Sequence, residues 1–198
     1  MNTLTRVVDL LEDAGMRIDP DKSELIHFSR NKKTPVDPIL TSIYGNMLTI
    51  HPKPVLRWLG IFFDSKLTYK DHVKIMANRV TSVANGIKVL ANTVRGLSQK
   101  HIRILFKTCV VPILTYASPV WFRLDRSQIG LVGSLEVVQN ISLRQIAGAF
   151  RTTPIDALRV LSHQPPMFNT LQKLSSSAAD RLLKIPFNSL VAQRLPDT

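Results

Sequence analysis

The sequence predicts an α+β protein: a short helix with a small antiparallel sheet, followed by a mainly α-helical remainder. Three observations predict it. Apolar residues recur at helical spacing near the start of the chain and again from about residue 70 onward. Short β-rich runs bounded by Gly, Pro, Asn and Asp occupy the interval between them. The charge also changes along the chain: residues 1–69 hold nine Lys/Arg against eight Asp/Glu, residues 70–126 ten against two, and residues 127–198 seven against four. Three segments follow from this reading, 1–69, 70–126 and 127–198.

The elements follow in order. From Thr3 to Ala14, Leu4, Val7, Val8, Leu10 and Leu11 fit one helical face, and Gly15 stands where a left-handed helix end prefers glycine. A turn at Asp19-Pro20-Asp21 leads to an expected strand from Ser23 to Ser29, centred on Leu25, Ile26 and Phe28. Residues 30–38 carry two prolines and no periodicity, which makes them an exposed loop. Two short strands, roughly 40–44 and 47–50, flank Gly45-Asn46, and a third runs from Val55 to Phe63 with Gly60 inside it.

After Thr68, a good N-cap residue, Val73, Met76, Val80, Val83, Ile87, Leu90 and Val94 alternate at spacings of three and four, which places them on one seam of a long helix. Lys74, Lys88 and Arg95 form a heptad-spaced stripe beside that seam. Gly96 ends the helix and Ser98 can cap the next, with Leu97 and Ile102 as a hydrophobic staple. There Ile102, Leu105, Phe106 and Cys109 face inward, while Lys100, Arg103 and Lys107 line the opposite side. Pro112 kinks or ends this helix, because it lacks an amide proton and clashes with the carbonyl of Thr108. A third helix lies within 127–149 and ends at Gly148; shorter ones are expected near 155–161 and 168–183.

Composition narrows the function. With 44% hydrophobic residues in 198, the chain can bury a core, and a net charge of +12 with a pI near 10.3 points to a polyanionic partner, nucleic acid or an anionic membrane surface. Its lone cysteine, Cys109, sits in an apolar run and reads as a core residue of a protein from a reducing compartment. Histidines 27, 51, 72, 101 and 163 show no metal-ligand spacing, so no metal site is expected. The apolar stretch Ile104–Phe122 is interrupted by Lys107 and Pro112 and is read as short of a membrane span, and no signal peptide is seen. The expectation is an intracellular protein, nuclear or cytoplasmic, with no membrane partner.

In this order the pieces resemble the C-terminal part of reverse transcriptases from non-LTR retrotransposons of the LINE or Jockey type. Residues 15–28, Gly-Met-Arg-Ile-Asp-Pro-Asp-Lys-Ser-Glu-Leu-Ile-His-Phe, look like the family's fourth palm motif, with Asp19 in place of the usual asparagine. Residues 58–72, from Trp58-Leu59-Gly60 through Asp64 to His72, look like the primer-grip hairpin and its exit into the thumb. Val111-Pro-Ile-Leu-Thr-Tyr-Ala117 with Trp121, then Leu135–Ala149 with Gln139-Asn140 and Arg144, resemble the helices after the polymerase core.

The resemblance implies a palm end with primer grip, a basic helical thumb and a helical connector. It implies Trp58, Leu59 and Gly60 as the primer grip and Lys22 as a general acid in the intact enzyme. The candidate nucleic-acid contacts are Lys70, Lys74, Lys88, Arg95, Lys100, Arg103 and Lys107, and the implied partners are an RNA/DNA hybrid and the N-terminal portion of the polymerase. The family adds nucleotides with two divalent cations, Mg2+, held by an early aspartate and a Tyr-x-Asp-Asp hairpin. This chain contains no Asp-Asp pair, so no cofactor is expected in it and it is expected to be inactive alone.

Blander readings stand beside these. Lys22 also fits a simple turn, Gly60 a bulge, and Trp58, Phe62 and Phe63 an ordinary core. The basic stripes also fit solvated helix faces. A stand-alone basic nucleic-acid-binding remnant, a helical protein-interaction module and a decayed reading frame are the alternative functions.

Overall fold

A computed structural model describes residues 3–29, 38–43, 46–91, 96–124, 128–186 and 189. The chain divides into two compact units, Met1–Asp71 and His72–Thr198. The architecture is the α+β arrangement expected: a short helix and small antiparallel sheets, then a mainly helical region.

In the first unit, α1 (Thr3–Asp13) contacts β1 (Ile39–Ile43) and buries Val8. Gly15, at φ 72°, ends the helix, with the amide of Met16 donating back to the Leu11 carbonyl at 2.8 Å. A single 3-10 turn, Pro20–Lys22, follows, with the Asp21 amide donating to the Asp19 carboxylate. The strand expected over 23–29 does not form. It is reduced to one parallel bridge, Leu25 to Pro52, because a proline there has no amide to extend a ladder.

Strands β1 and β2 (Asn46–Ile50) pair antiparallel from Ile39↔Ile50 to Ile43↔Asn46. The single strand expected over 55–63 is instead a hairpin, β3 (Val55–Trp58) and β4 (Ile61–Asp64), in register Val55↔Asp64 to Trp58↔Ile61. Its two-residue turn, Leu59-Gly60, has φ of 47° and 80°, the sign pattern of a type I′ turn, whose twist matches that of paired strands. Gly60 adopts this freely, whereas a side chain in the left-handed region costs on the order of 1–2 kcal/mol at Leu59.

The second unit is built from helices. Helix α2 (Lys70–Leu90) begins in the last two residues of the first unit and buries Val73, Met76, Val80, Ala84 and Ile87, most of the seam read from the sequence. Leu90 is exposed, and Val94 lies outside the described residues. The next helical run is α3 (Gln99–Leu105), a π segment (Phe106–Val110) and α4 (Val111–Leu114).

Pro112 therefore does not end the helix. The turn before it widens, the Val111 amide reaches the Phe106 carbonyl five residues back, and the Thr108 hydroxyl donates to the carbonyl of Ile104 at 2.9 Å. Widening also changes which side faces in. Ile102, Phe106, Val110 and Leu114 are buried at steps of four, and Cys109, expected in the core, is turned out and exposed.

A left-handed Ala117, at φ 54°, separates α4 from α5 (Ser118–Trp121). Helix α6 (Ile129–Ala147) is closed by Gly148 in the left-handed region; α7 (Ile155–Ser162) and α8 (Met167–Leu183) complete the unit. Helix α6 contacts α3, α7 and α8, and α5 contacts α8. Between them lie the fully buried Trp121, Phe106, Leu135, Leu143, Leu158, Met167 and Leu171. By length and hydropathy the run Gln99–Trp121 does reach the measure of a membrane-crossing helix, contrary to the expectation.

Candidate nucleic-acid interface

Each unit carries one part of the predicted site. In the first, the hairpin turn holds Trp58 and Leu59 outward, 62% and 73% exposed. Behind it the Phe63 ring is the hub of an aromatic cluster, with centroids 6.5 Å from Phe28, 6.2 Å from Trp58 and 5.9 Å from Tyr69. The hairpin thus anchors one aromatic inward and leaves Trp58 partly available for a ligand.

Asp64, to which the sequence reading gave no role of its own, organises the exit from the hairpin. Its carboxylate accepts the Thr68 amide at 2.9 Å, the Thr68 hydroxyl at 3.0 Å and the Tyr69 amide at 2.7 Å. Thr68, expected to cap α2, donates to this cap instead. Leu67 and Tyr69 sit at φ 53° and 58°, left-handed conformations that bulky residues rarely adopt, and the three bonds to Asp64 help hold them there. Burial works to raise the Asp64 pKa, but the two amides and the hydroxyl outweigh it and hold the carboxyl below its ordinary range.

Lys22 is exposed and paired to Asp19 at 2.9 Å. The hydrogen bond to Asp19, with its charge, raises the lysine pKa, and the same bond lowers that of the aspartate, so Lys22 keeps its proton. Lys70, in the first turn of α2, is exposed.

In the second unit, Lys74 and Lys88 are exposed on α2, as are Lys100 and Lys107 on the next helical run. Arg103 is half-buried, and its Nε has no hydrogen-bond partner among the described residues. Arg95 lies outside the described residues. A narrow apolar crevice lined by Ala84, Ile87, Lys88, Ile102, Phe106 and Ile146 puts Lys88 alongside the helix that carries Lys100, Arg103 and Lys107. Among the described residues of this unit, ion pairs form only around Arg159, with Glu136 at 3.4 Å and Asp156 at 3.1 Å. None involves the predicted contacts.

A buried node in the same unit also escaped the sequence reading. Because Ala117 is left-handed, the Tyr116 carbonyl leaves the helical ladder; it accepts the Trp121 Nε1–H at 2.9 Å and lies 3.3 Å from His72 Nε2. His72 is fully buried. Burial lowers its pKa; the bond to Tyr116 opposes this, and the Arg79 charge adds to the lowering.

Comparison with known proteins gives partial matches only. No family model matches the chain, and no solved structure does. It is 27% identical over 112 residues to a retrovirus-related Pol polyprotein from type-1 retrotransposable element R1 4 of Nasonia vitripennis. It is 24% identical over 111 residues to a 115 kDa protein in element R1DM of Drosophila melanogaster, and 23% identical over 121 residues to a Pol polyprotein from element R1 of Bradysia coprophila. These matches take in 57%, 56% and 61% of this chain. The chain is retrotransposon-related. It spans only 28%, 11% and 12% of those curated relatives.

Within this retrotransposon-related chain, the charge is concentrated in one tract. From His72 to Leu124 the sequence has eight Lys/Arg and no Asp or Glu. Such a face attracts phosphates without needing base contacts, through release of counterions. Among the described residues, no group of three or more His, Cys, Asp and Glu could hold a metal ion.

Proposed function

We propose that this chain supplies the palm end, primer grip and thumb of a non-LTR retrotransposon reverse transcriptase and holds an RNA/DNA hybrid through its phosphates. The observation that carries the proposal is the acid-free basic tract, with exposed Lys74, Lys88, Lys100 and Lys107 on α2 and the run that follows. Solvated helices normally set Glu against Lys at i, i+4; here Asp71, three residues before Lys74, is the one acid on α2, and none follows it as far as Leu124. The Trp58-Leu59-Gly60 turn serves as the grip on the primer end, with Gly60 leaving room for the backbone to approach.

In this reading nucleotide addition belongs to the intact polymerase. Two cations need a cluster of carboxylates, and the residues of this chain do not fit one: it has no Asp-Asp pair, and Asp64 is committed to Thr68 and Tyr69. Lys22 is the general acid of the intact enzyme in this reading; its pair with Asp19 raises its pKa and so opposes proton release, and that pair has to open before Lys22 can protonate a leaving pyrophosphate.

The test is hybrid binding across a salt series. Each of Lys74→Ala, Lys88→Ala, Lys100→Ala and Lys107→Ala should reduce the salt slope by about 0.9. Affinity and slope unchanged in the quadruple variant would sink the proposal. With primed template, nucleotides and magnesium, the chain alone should extend nothing.

A further inference from the structure

The outward face of α2 carries more than lysines. Lys74, Asn78, Thr81, Asn85 and Lys88 are all exposed, and steps of four, three, four and three keep them on one straight stripe away from the buried seam. At 1.5 Å per residue the stripe runs about 21 Å, with the two asparagines about 10.5 Å apart. Its ends are cationic and its middle is neutral and hydrogen-bonding.

That middle is chemically specific. Asparagine both donates and accepts, so it can meet a hydroxyl in either sense. The Thr81 hydroxyl donates its own proton to the Ala77 carbonyl at 3.0 Å, which leaves its oxygen facing outward as an acceptor. An acceptor between two amides suits a ligand that presents hydroxyl donors beside phosphates. The sugar edge of an RNA-containing duplex presents this combination in its wide, shallow minor groove, and a DNA sugar has no 2′-hydroxyl to offer.

The residue choice is also poor for the helix itself. Asparagine and threonine are weak helix formers, and at exposed sites no packing compensates them. Alanine would serve the fold better at 78, 81 and 85. This favours a role outside the fold.

We infer that Asn78, Thr81 and Asn85 read ribose 2′-hydroxyls, so that this face prefers RNA-containing duplexes over DNA while Lys74 and Lys88 hold phosphates of either. The inference rests on the nucleic-acid reading above and adds the sugar as the selected feature.

The experiment measures affinity of the full chain for an RNA/DNA hybrid, an RNA duplex and a DNA duplex of one sequence, at fixed salt. The wild type should prefer the RNA-containing duplexes. Asn78→Ala and Asn85→Ala should each cut that preference about fivefold, the size of one hydrogen bond. Thr81→Val, of the same shape, should act in the same direction. Melting temperatures of the alanine variants should hold or rise, the opposite of what a structural role would give. Equal wild-type affinity for hybrid and DNA, or equal weakening of all three ligands in the asparagine variants, overturns the inference and leaves the phosphate-binding reading standing. No binding to any of the three overturns both.

Discussion

The two units reach a fixed shape by different means. Among the residues whose side chains are described, which leave out 39–48, Met1–Asp71 buries the apolar side chains of Val8 and Tyr69, whereas His72–Thr198 buries eighteen. The first unit has ten Lys/Arg against nine Asp/Glu, the second sixteen against five. Within eleven residues the first unit also holds three bulky side chains, Leu59, Leu67 and Tyr69, in the left-handed region. In the first unit three hydrogen bonds to Asp64 sit beside this strained backbone, and the second unit packs its helices around a buried core. A substitution should therefore act through different terms in each.

The largest effect should come from the packed unit. Leu135 is fully buried, and Leu135→Ala should lower stability by about 2–5 kcal/mol through lost transfer energy and the cavity left behind. Leu10→Ala, at a site 65% exposed in the first unit, should stay within about 0.5 kcal/mol. Denaturant unfolding followed by circular dichroism reads both. Similar costs at the two sites would erase the contrast.

Next in size is Asp64→Ala, which strips three donors of their acceptor and should cost the first unit about 1–3 kcal/mol. Amide exchange should quicken at Thr68 and Tyr69 while α6 is untouched; unchanged protection at those two amides would sink the assignment. The pH dependence has a definite sign. The Asp64 pKa is lower folded than unfolded, so its stabilisation is fully present above the ordinary carboxylate range and is lost as pH falls through the depressed folded value.

What the sequence disclosed follows the same division. Helix α2 was legible from the spacing of Val73, Met76, Val80 and Ile87, since a seam that must be buried leaves a periodic trace. The stop at Gly148 was equally plain. The hairpin was less so: Val55 to Phe63 scores as one β-rich run, and a leucine gives no warning that it will take a positive φ. Cys109 misled because a 3.6-residue period was assumed through Phe106–Val110, where the helix widens. Of the candidate site, exposed lysines on α2 and the next helical run could be read from periodicity. The Asp64 cap and the His72–Tyr116–Trp121 node could not, since each depends on a backbone turn that releases particular amides or a carbonyl.

A smaller and pH-gated effect is expected at His72. Its pKa is lower folded than unfolded, so the unfolded chain binds the extra proton first, and stability is fully present above the unfolded value near 6.5 and falls as pH drops below it. His72→Gln keeps a side-chain N–H for the Tyr116 carbonyl but cannot titrate. Its melting temperature should be flatter than wild type between neutral and mildly acid pH; parallel curves would show that another group carries the dependence.

The smallest effect is the one that best separates strain from function. Leu59→Asn places Asn-Gly in the hairpin turn, the pair best suited to positive φ at both positions, and should stabilise the first unit by roughly 0.5–1 kcal/mol. Leu59 is 73% exposed, so the substitution removes little buried surface. If the turn grips a primer end, the stabilised variant should bind recessed hybrid ends more weakly than wild type while binding blunt duplex equally. Tighter folding with no change in end preference would reduce Leu59 to tolerated strain and remove the turn from the nucleic-acid site.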